Sequence, residues 1–447
     1  MKTISEKYDL FIAKICHFFE GSVVQVSSFI LYKIMVDAIY FLYIGRTAGF
    51  GVEIKLINVL SSYICVGLFS YFICIYSEEK RASSFLLLII NMIYFIPITS
   101  YCSLGPGSTS FLFFAIIYWG ILSFLQIKVP VVTLKRKETN IRDSFFYLIF
   151  ISVAILTIYL SVKYTGFRII TDLLDVYKYR AEASTYNLPR WLVYLQNFST
   201  VLIPLLILLS FSKRRYIFAI VSCFLLLLNF SFAGHKIVLF MGILLVMGYI
   251  FWKNEMMSLV IPGGILVGII AILEERILQH SYIISFFFRR EGYVLAQLSD
   301  QYYRFFNNNP VDIFRGTFLG KIGFDSPYSI PIPYVIGNNY STQTVSCNNG
   351  LLADVWSHIG IIGLIVMPVI IIVCFRLFDM VTDGLEMRYV VGMGIYYAVC
   401  FVDSGWSIVL LTHGFLIVCM MFFLFPRVNR IKKGGKNEGY SFINKRY

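Results

Sequence analysis

The sequence predicts an all-helical protein threaded about twelve times through a membrane. Three observations predict it. Apolar runs of roughly 20 residues, the length that crosses a bilayer as a helix, recur along the whole chain. Of the 447 residues, 58% are hydrophobic and only 14% charged, against about 25% charged in soluble domains. That balance excludes a soluble core of this size. Finally, the lysines and arginines divide unevenly between alternate turns.

Spans are expected at 23–44, 54–76, 84–104, 110–127, 144–162, 191–212, 216–232, 237–252, 256–273, 351–375, 389–402 and 407–425. Met1–Ser22 carries Glu6, Asp9 and Glu20 and no small-residue cleavage pattern, so the first span reads as retained. The connections are turn-like, as in Gly105-Pro106-Gly107, Lys213-Arg214-Arg215 and Trp252-Lys253-Asn254-Glu255. Residues 1–447 thus form one integral membrane domain.

Twelve spans place both termini on one side. The termini and the loops on their side (77–83, 128–143, 213–215, 253–255, 376–388) hold 23 Lys and Arg, and the opposite loops hold 14. Six of those 14 lie in the segment 274–350, which is too long for the charge rule, so the comparison becomes 23 against 8. Both termini are expected in the cytoplasm, with residues 427–447 as a basic tail at the membrane surface. The net charge of +13 then reports loop topology, and a nucleic-acid partner is not expected.

Two loops on the opposite side are long: 163–190, with 28 residues, and 274–350, with 77. A loop of 77 residues is unusual between membrane spans and more often functional than not. Within it, "FFFRREGYVLAQLSDQYYRFFNNNP" has helical spacing, with Arg290, Tyr293, Gln297, Asp300 and Arg304 sharing one face. Asn307-Asn308-Asn309-Pro310 ends that helix. The guanidinium forks of Arg289 and Arg290 suit phosphate oxygens, and the same arginines also fit an interfacial helix held at lipid headgroups. Fifteen Phe and Tyr, Tyr303 among them, line this loop, either against sugar faces or against one another.

Other polar groups interrupt the apolar pattern. "AGHK" places His235 and Lys236 in a tight turn, "DSGW" (Asp403–Trp406) forms another, and His413 lies inside the last span. Ionisable groups within a membrane are costly and often functional. Asp354 and His358 follow an Asn348-Asn349-Gly350 turn and are four apart, hence on one helical face. Nine cysteines are scattered without C-x-x-C or zinc spacing and read as small hydrophobes, with Cys102 and Cys347 the one pair near a common surface.

Four stretches in this order, "SFAGHKIVLF", "FFFRREGYVLAQLSDQYYRFFNNNP", "SCNNGLLADVWSHIGIIG" and "LLTHGFL", resemble the Wzy-type O-antigen polymerases. The resemblance runs from Ser231 to the last span; the residues before it match only as a run of membrane spans. It implies a fold like that of the lipid-donor (GT-C-like) glycosyltransferases, in the bacterial inner membrane, with the long loop periplasmic. It implies a metal-independent, inverting transfer of glycan from undecaprenyl pyrophosphate to a new lipid-linked repeat unit, in O-antigen and lipopolysaccharide synthesis. No cofactor is implied, and a chain-length regulator is the implied protein partner.

On that reading Asp354 is the expected base and His358 its orienter or alternative base, with Asp300 or His280 as substitutes; the structural alternative has Asp354 capping the helix start and His358 bonding a neighbouring helix. Substrate contacts are expected from Arg289, Arg290, Lys236, His235, Tyr293, Gln297, Asp300, Tyr303, Arg304, Asn348, Asn349 and His413. The related O-antigen ligases carry a His-Asn pair where this chain has Asn348-Asn349, which weighs against a ligase. The residues agree independently on one point: no Asp-x-Asp motif on an outer loop and no glycine-rich phosphate loop is present, as a nucleotide-sugar enzyme would need. A flippase for lipid-linked oligosaccharide stays open as an alternative, although no internal repeat is visible.

The topology has a direct test. A cysteine substituted for Arg315 in the long loop reacts with a membrane-impermeant thiol reagent in intact cells. Labelling only after permeabilisation reverses the orientation.

Overall fold

The computed structural model describes residues 4–77, 81–133, 143–170, 176–234, 236–317, 319–342 and 345–425. Every regular element among them is helical. Among the described residues, nine helices are long and apolar enough to cross a membrane: Ser22–Arg46, Leu56–Cys74, Ala82–Leu104, Thr109–Lys128, Ser144–Thr165, Arg190–Ser212, Tyr216–Ala233, Met256–Leu278 and Leu352–Thr382. Leu239–Phe251 and Phe415–Leu424 are shorter apolar helices, and Met387–Asp403 has 17 residues. The chain is therefore a polytopic helical membrane protein. His235 and the basic tail 427–447 lie outside the described residues.

Several expected spans are interrupted. The expected 407–425 run is two helices, Trp406–Leu411 and Phe415–Leu424, parted at Gly414, whose φ is +69°. The 351–375 run breaks at Gly360, φ +64°, after a π turn over Val355–Ile359. Both breaks use glycine where the chain adopts a left-handed backbone. The N-terminal segment, read from the sequence only as a leader to the first span, forms a helix over Ile4–Glu20. Ser258 Oγ donates to the Cys16 carbonyl at 3.2 Å, which ties that helix to the one beginning near Met256.

Ala82–Leu104 is the central post. Its apolar window is 89% buried within the protein, against 28% for Ser144–Thr165 and Met256–Leu278, which leave most of their surface to lipid. Small residues let neighbours approach it closely, as Ser83, Ser84, Ser100 and Ser103 do here. Pro97 lacks an N–H, so the helix cannot hold its regular ladder one turn earlier. A π turn occupies that place, Asn91–Phe95. The widened turn receives Gly292 of the long loop: a Cβ there would stand 3.3 Å from Pro97 Cγ.

Two buried ionic networks hold the bundle. Lys33, with no exposed surface, bonds Asp37 Oδ1 at 2.6 Å and Ser100 Oγ at 3.0 Å, and Tyr63 donates to Asp37 Oδ2 at 2.8 Å. This network joins Ser22–Leu42, Leu56–Ser77 and the central helix. The second joins the other end of the central helix to Leu352–Thr382. Asp379 accepts from the Ser83 N–H at 2.8 Å and its hydroxyl at 2.6 Å, and Arg376 meets Asp379 at 3.0 Å and the Val129 carbonyl at 2.8 Å. The Ser83 N–H is one of the donors that a helix start leaves without an internal partner, so Asp379 acts as a cap supplied by another helix.

Breaking a buried ion pair on one side strands the other charge, which costs about 3–5 kcal/mol, whereas removing both is often near neutral. Lys33→Met is expected to lower the melting temperature of the detergent-purified protein sharply, and Lys33→Met with Asp37→Leu to regain most of the loss. A double variant as unstable as the sum of the singles argues against a paired role.

Candidate functional site

The long loop folds back on one end of the bundle. A π-helical segment, Ile284–Tyr293, leads directly into an α-helix, Val294–Phe306, which stops at Asn307 as expected. A second short helix follows at Ile332–Tyr340. Tyr302 donates to the Cys347 carbonyl at 2.9 Å, fastening the end of the loop to the Val294–Phe306 helix.

The π form divides the expected shared face. Closing each turn one residue later shifts the phase of every side chain on that stretch. Arg289 and Arg290 are exposed, but Tyr293 is fully buried, with its hydroxyl on the Val36 carbonyl at 2.9 Å. Gln297 donates to the Gly49 carbonyl at 2.5 Å. Asp300 is buried; it pairs with Arg304 at 2.7 Å and accepts from the Ser108 N–H at 3.3 Å. Burial pushes the Asp300 carboxyl up and Arg304 pulls it back. Arg304 also bonds the Pro106 carbonyl at 2.7 Å. Tyr303 packs between Phe111, Phe114 and Trp356. Tyr293, Gln297, Asp300 and Tyr303 thus have internal tasks, because their positions face the membrane helices beneath the loop.

The Asn-Asn-Gly turn is also structural at its second and third positions. Asn349 is buried and donates to the Leu295 carbonyl and to Ser299 Oγ, both at 3.0 Å. Ser299 in turn meets the Tyr94 hydroxyl at 2.7 Å, and Tyr94 accepts from the Leu352 N–H at 3.3 Å. A Cβ on Gly350 would fall 2.2 Å from the Phe401 carbonyl oxygen and 2.3 Å from that of Ser404, so no other residue fits. Asn348 remains exposed, its side chain held by Ser346 at 2.9 Å.

Asp354 and His358 come together, as their spacing implied, but inside the protein. They are 5% and 6% exposed, with His358 Nε2 3.9 Å from Asp354 Oδ1. Asp354 Oδ2 accepts the Trp406 N–H at 2.8 Å. The Phe314 N–H donates to His358 Nδ1 at 3.2 Å, and the Phe314 ring stacks on the imidazole with centroids 4.1 Å apart. A donor on Nδ1 places the ring proton on Nε2, toward Asp354. Asp312 Oδ2 lies 3.5 Å from Nδ1. Burial raises the Asp312 carboxyl, but hydrogen bonds from Ser326 Oγ and the Gly316 N–H outweigh it and hold the group below its ordinary range. The Phe314 N–H on His358 and the Asp312 N–H on the Ser357 carbonyl at 2.7 Å clamp the long loop to the membrane helices, and Asp354 beside them holds the Trp406 N–H.

Of the remaining expected residues, His413 Nε2 meets Ser404 Oγ at 3.0 Å. His280 is exposed, edge-on to Tyr282. His235 lies outside the described residues, as does the side chain of Lys236. Cys102 and Cys347 are both free thiols. The shorter loop reaches the same turn: Arg180 donates to the Gly234 carbonyl at 2.8 Å, and Arg168 pairs with Glu182 at 2.9 Å.

One group was not read from the sequence. Glu291 follows the arginine pair and faces Asp403, at the end of Met387–Asp403; both are half-buried. Burial first, then the Asp403 charge, raise the Glu291 carboxyl to about 7, with Arg290 opposing. Arg289 lies over the Phe50 ring at 5.9 Å. Arg290 makes no hydrogen bond or ion pair within 4 Å among the described residues. An open cationic pair thus adjoins two carboxylates. The pairing was not readable from the sequence, since Asp403 lies far from Glu291 along the chain.

Compared with protein families, curated proteins and solved structures, the chain has no significant match.

The internal role of Asp354 is testable. Leaving the Trp406 N–H without a partner costs about 1–3 kcal/mol. Asp354→Ala is expected to lower thermal stability by that order, while Asp354→Asn, which still accepts a hydrogen bond, stays close to wild type. Equal melting of both variants with wild type removes the clamp.

Proposed function

We propose that this chain is a membrane glycosyltransferase that polymerises lipid-linked oligosaccharide repeat units, moving the growing glycan from undecaprenyl pyrophosphate to a new lipid-linked unit. The observation that carries the reading is the exposed Arg289–Arg290 pair, with no ion-pair partner for Arg290 among the described residues, at the foot of a long loop folded onto membrane helices. Such a pair is shaped for a pyrophosphate held at the bilayer surface. The bilayer supplies both substrates by lateral diffusion, so a soluble nucleotide-binding domain is not needed. Arg289 and Arg290 hold the leaving pyrophosphate and offset the charge that grows on it as the sugar departs. On this reading Asn348, exposed beside the turn, offers its amide N–H to a sugar hydroxyl.

Deletion of the gene, followed by electrophoresis of the surface polysaccharide, separates the roles. Loss of a polymerase leaves core carrying single repeat units, and loss of a flippase or ligase leaves none. Within the site, each charge-assisted bond to phosphate is worth about 1.5–3 kcal/mol. Arg290→Ala is therefore expected to cut turnover roughly ten- to a hundredfold. Arg290→Lys restores only part, because a point charge lacks the planar fork. A fully active Arg289→Ala/Arg290→Ala variant rules out the clamp.

A further inference from the structure

Inverting transfer leaves one task unassigned, since a group must take the proton of the attacking hydroxyl. We propose that Glu291 is that base, with Asp403 and Arg290 as its electrostatic partners. This inference rests on the glycosyltransfer reading above.

Four other candidate groups are engaged within the protein. Asp354 is spent on the Trp406 N–H and His358 on the Phe314 N–H. Asp300 is buried against Arg304. His413 is engaged with Ser404. Glu291 and Asp403, by contrast, are half-buried carboxylates from two separate elements, and neither has a hydrogen-bond or ion-pair partner among the described residues. Glu291 also adjoins the arginines proposed to hold the leaving group.

Both carboxylates are mounted rigidly. The residue after Glu291 is Gly292, seated against Pro97, and the next is Tyr293, pinned to Val36. On the other side, the Gly350 N–H bonds the Val402 carbonyl at 2.8 Å, and the Ser404 N–H bonds that of Cys400 at 2.9 Å. Groups fixed in this way keep their spacing as substrate arrives.

In the step itself, the acceptor oxygen bonds to the anomeric carbon while the bond from that carbon to the pyrophosphate oxygen breaks. The electron pair leaves on the pyrophosphate, opposite Arg289 and Arg290. The hydroxyl proton passes to the Glu291 carboxylate, which later returns it to water.

The groups facing Glu291 are Arg290 on its own segment and Asp403 and Cys400 from Met387–Asp403. A base works deprotonated, so the rate rises with pH through about 7 and levels above it. Removing the Asp403 charge lets Glu291 lose its proton more readily, which moves that rise to lower pH.

The test uses the purified full-length protein in vesicles and lipid-linked repeat units extracted from a strain lacking the gene, with initial rates measured against pH. Glu291→Gln is expected to lose roughly 10²–10⁴-fold, Glu291→Asp to recover part, and Asp403→Asn to shift the rise to lower pH. Glu291→Gln at wild-type rate, or an Asp403→Asn profile superimposable on wild type, overturns the assignment while leaving the polymerase reading intact. Wild-type protein that fails to elongate the units removes that reading, and the base with it.

Discussion

A lysine with no exposed surface inside an apolar helix governs the architecture. Lipid offers no water to a charge, so Lys33 must be neutralised within the protein. Asp37, Ser100 and Tyr63 do this together, and they belong to three different helices. Those helices cannot slide or rotate apart without stranding a charge. One turn beyond, Val36 offers the carbonyl that holds Tyr293. The segment bearing Arg289, Arg290 and Glu291 is therefore anchored to the most constrained part of the bundle. The Arg376–Asp379–Ser83 network does the same for the other end of the central helix.

The three π turns, Asn91–Phe95, Ile284–Tyr293 and Val355–Ile359, have a common physical basis. A π turn widens a helix and carries a cost in packing that neighbours must offset. Here the widening at Asn91–Phe95 precedes Pro97 and receives Gly292, and Tyr94 within it bonds both Ser299 and Leu352. The turn at Val355–Ile359 carries His358 toward Phe314. The irregular turns are thus the places where the long loop is fastened down.

The polar groups at this end of the bundle fall into two kinds. Asn349, Asp354, His358, Asp300 and Tyr293 are all matched to a partner within the protein. Arg290, Glu291 and Asp403 are close enough to feel each other's charge yet make no direct bond. Matched groups stabilise the fold.

Membrane character was legible in the sequence because it rests on composition and run length, which need no tertiary information. So was the helix ending at Asn307, since a run of asparagines before proline acts locally. The pairing of Asp354 with His358 was legible too, being a matter of spacing along one stretch. Their burial was not, because it depends on Phe314, Asp312 and Trp406 arriving from other segments. Lys33 and Asp37 were not singled out in the sequence, and the meaning of their four-residue spacing required Ser100 and Tyr63. Tyr293 and Asp300 were grouped with Arg290 on one face by regular periodicity, and the π segment that ends at Tyr293 shifted the phase between them. Glu291 and Asp403 are joined only by the fold, since charge acts through space and takes no account of distance along the chain.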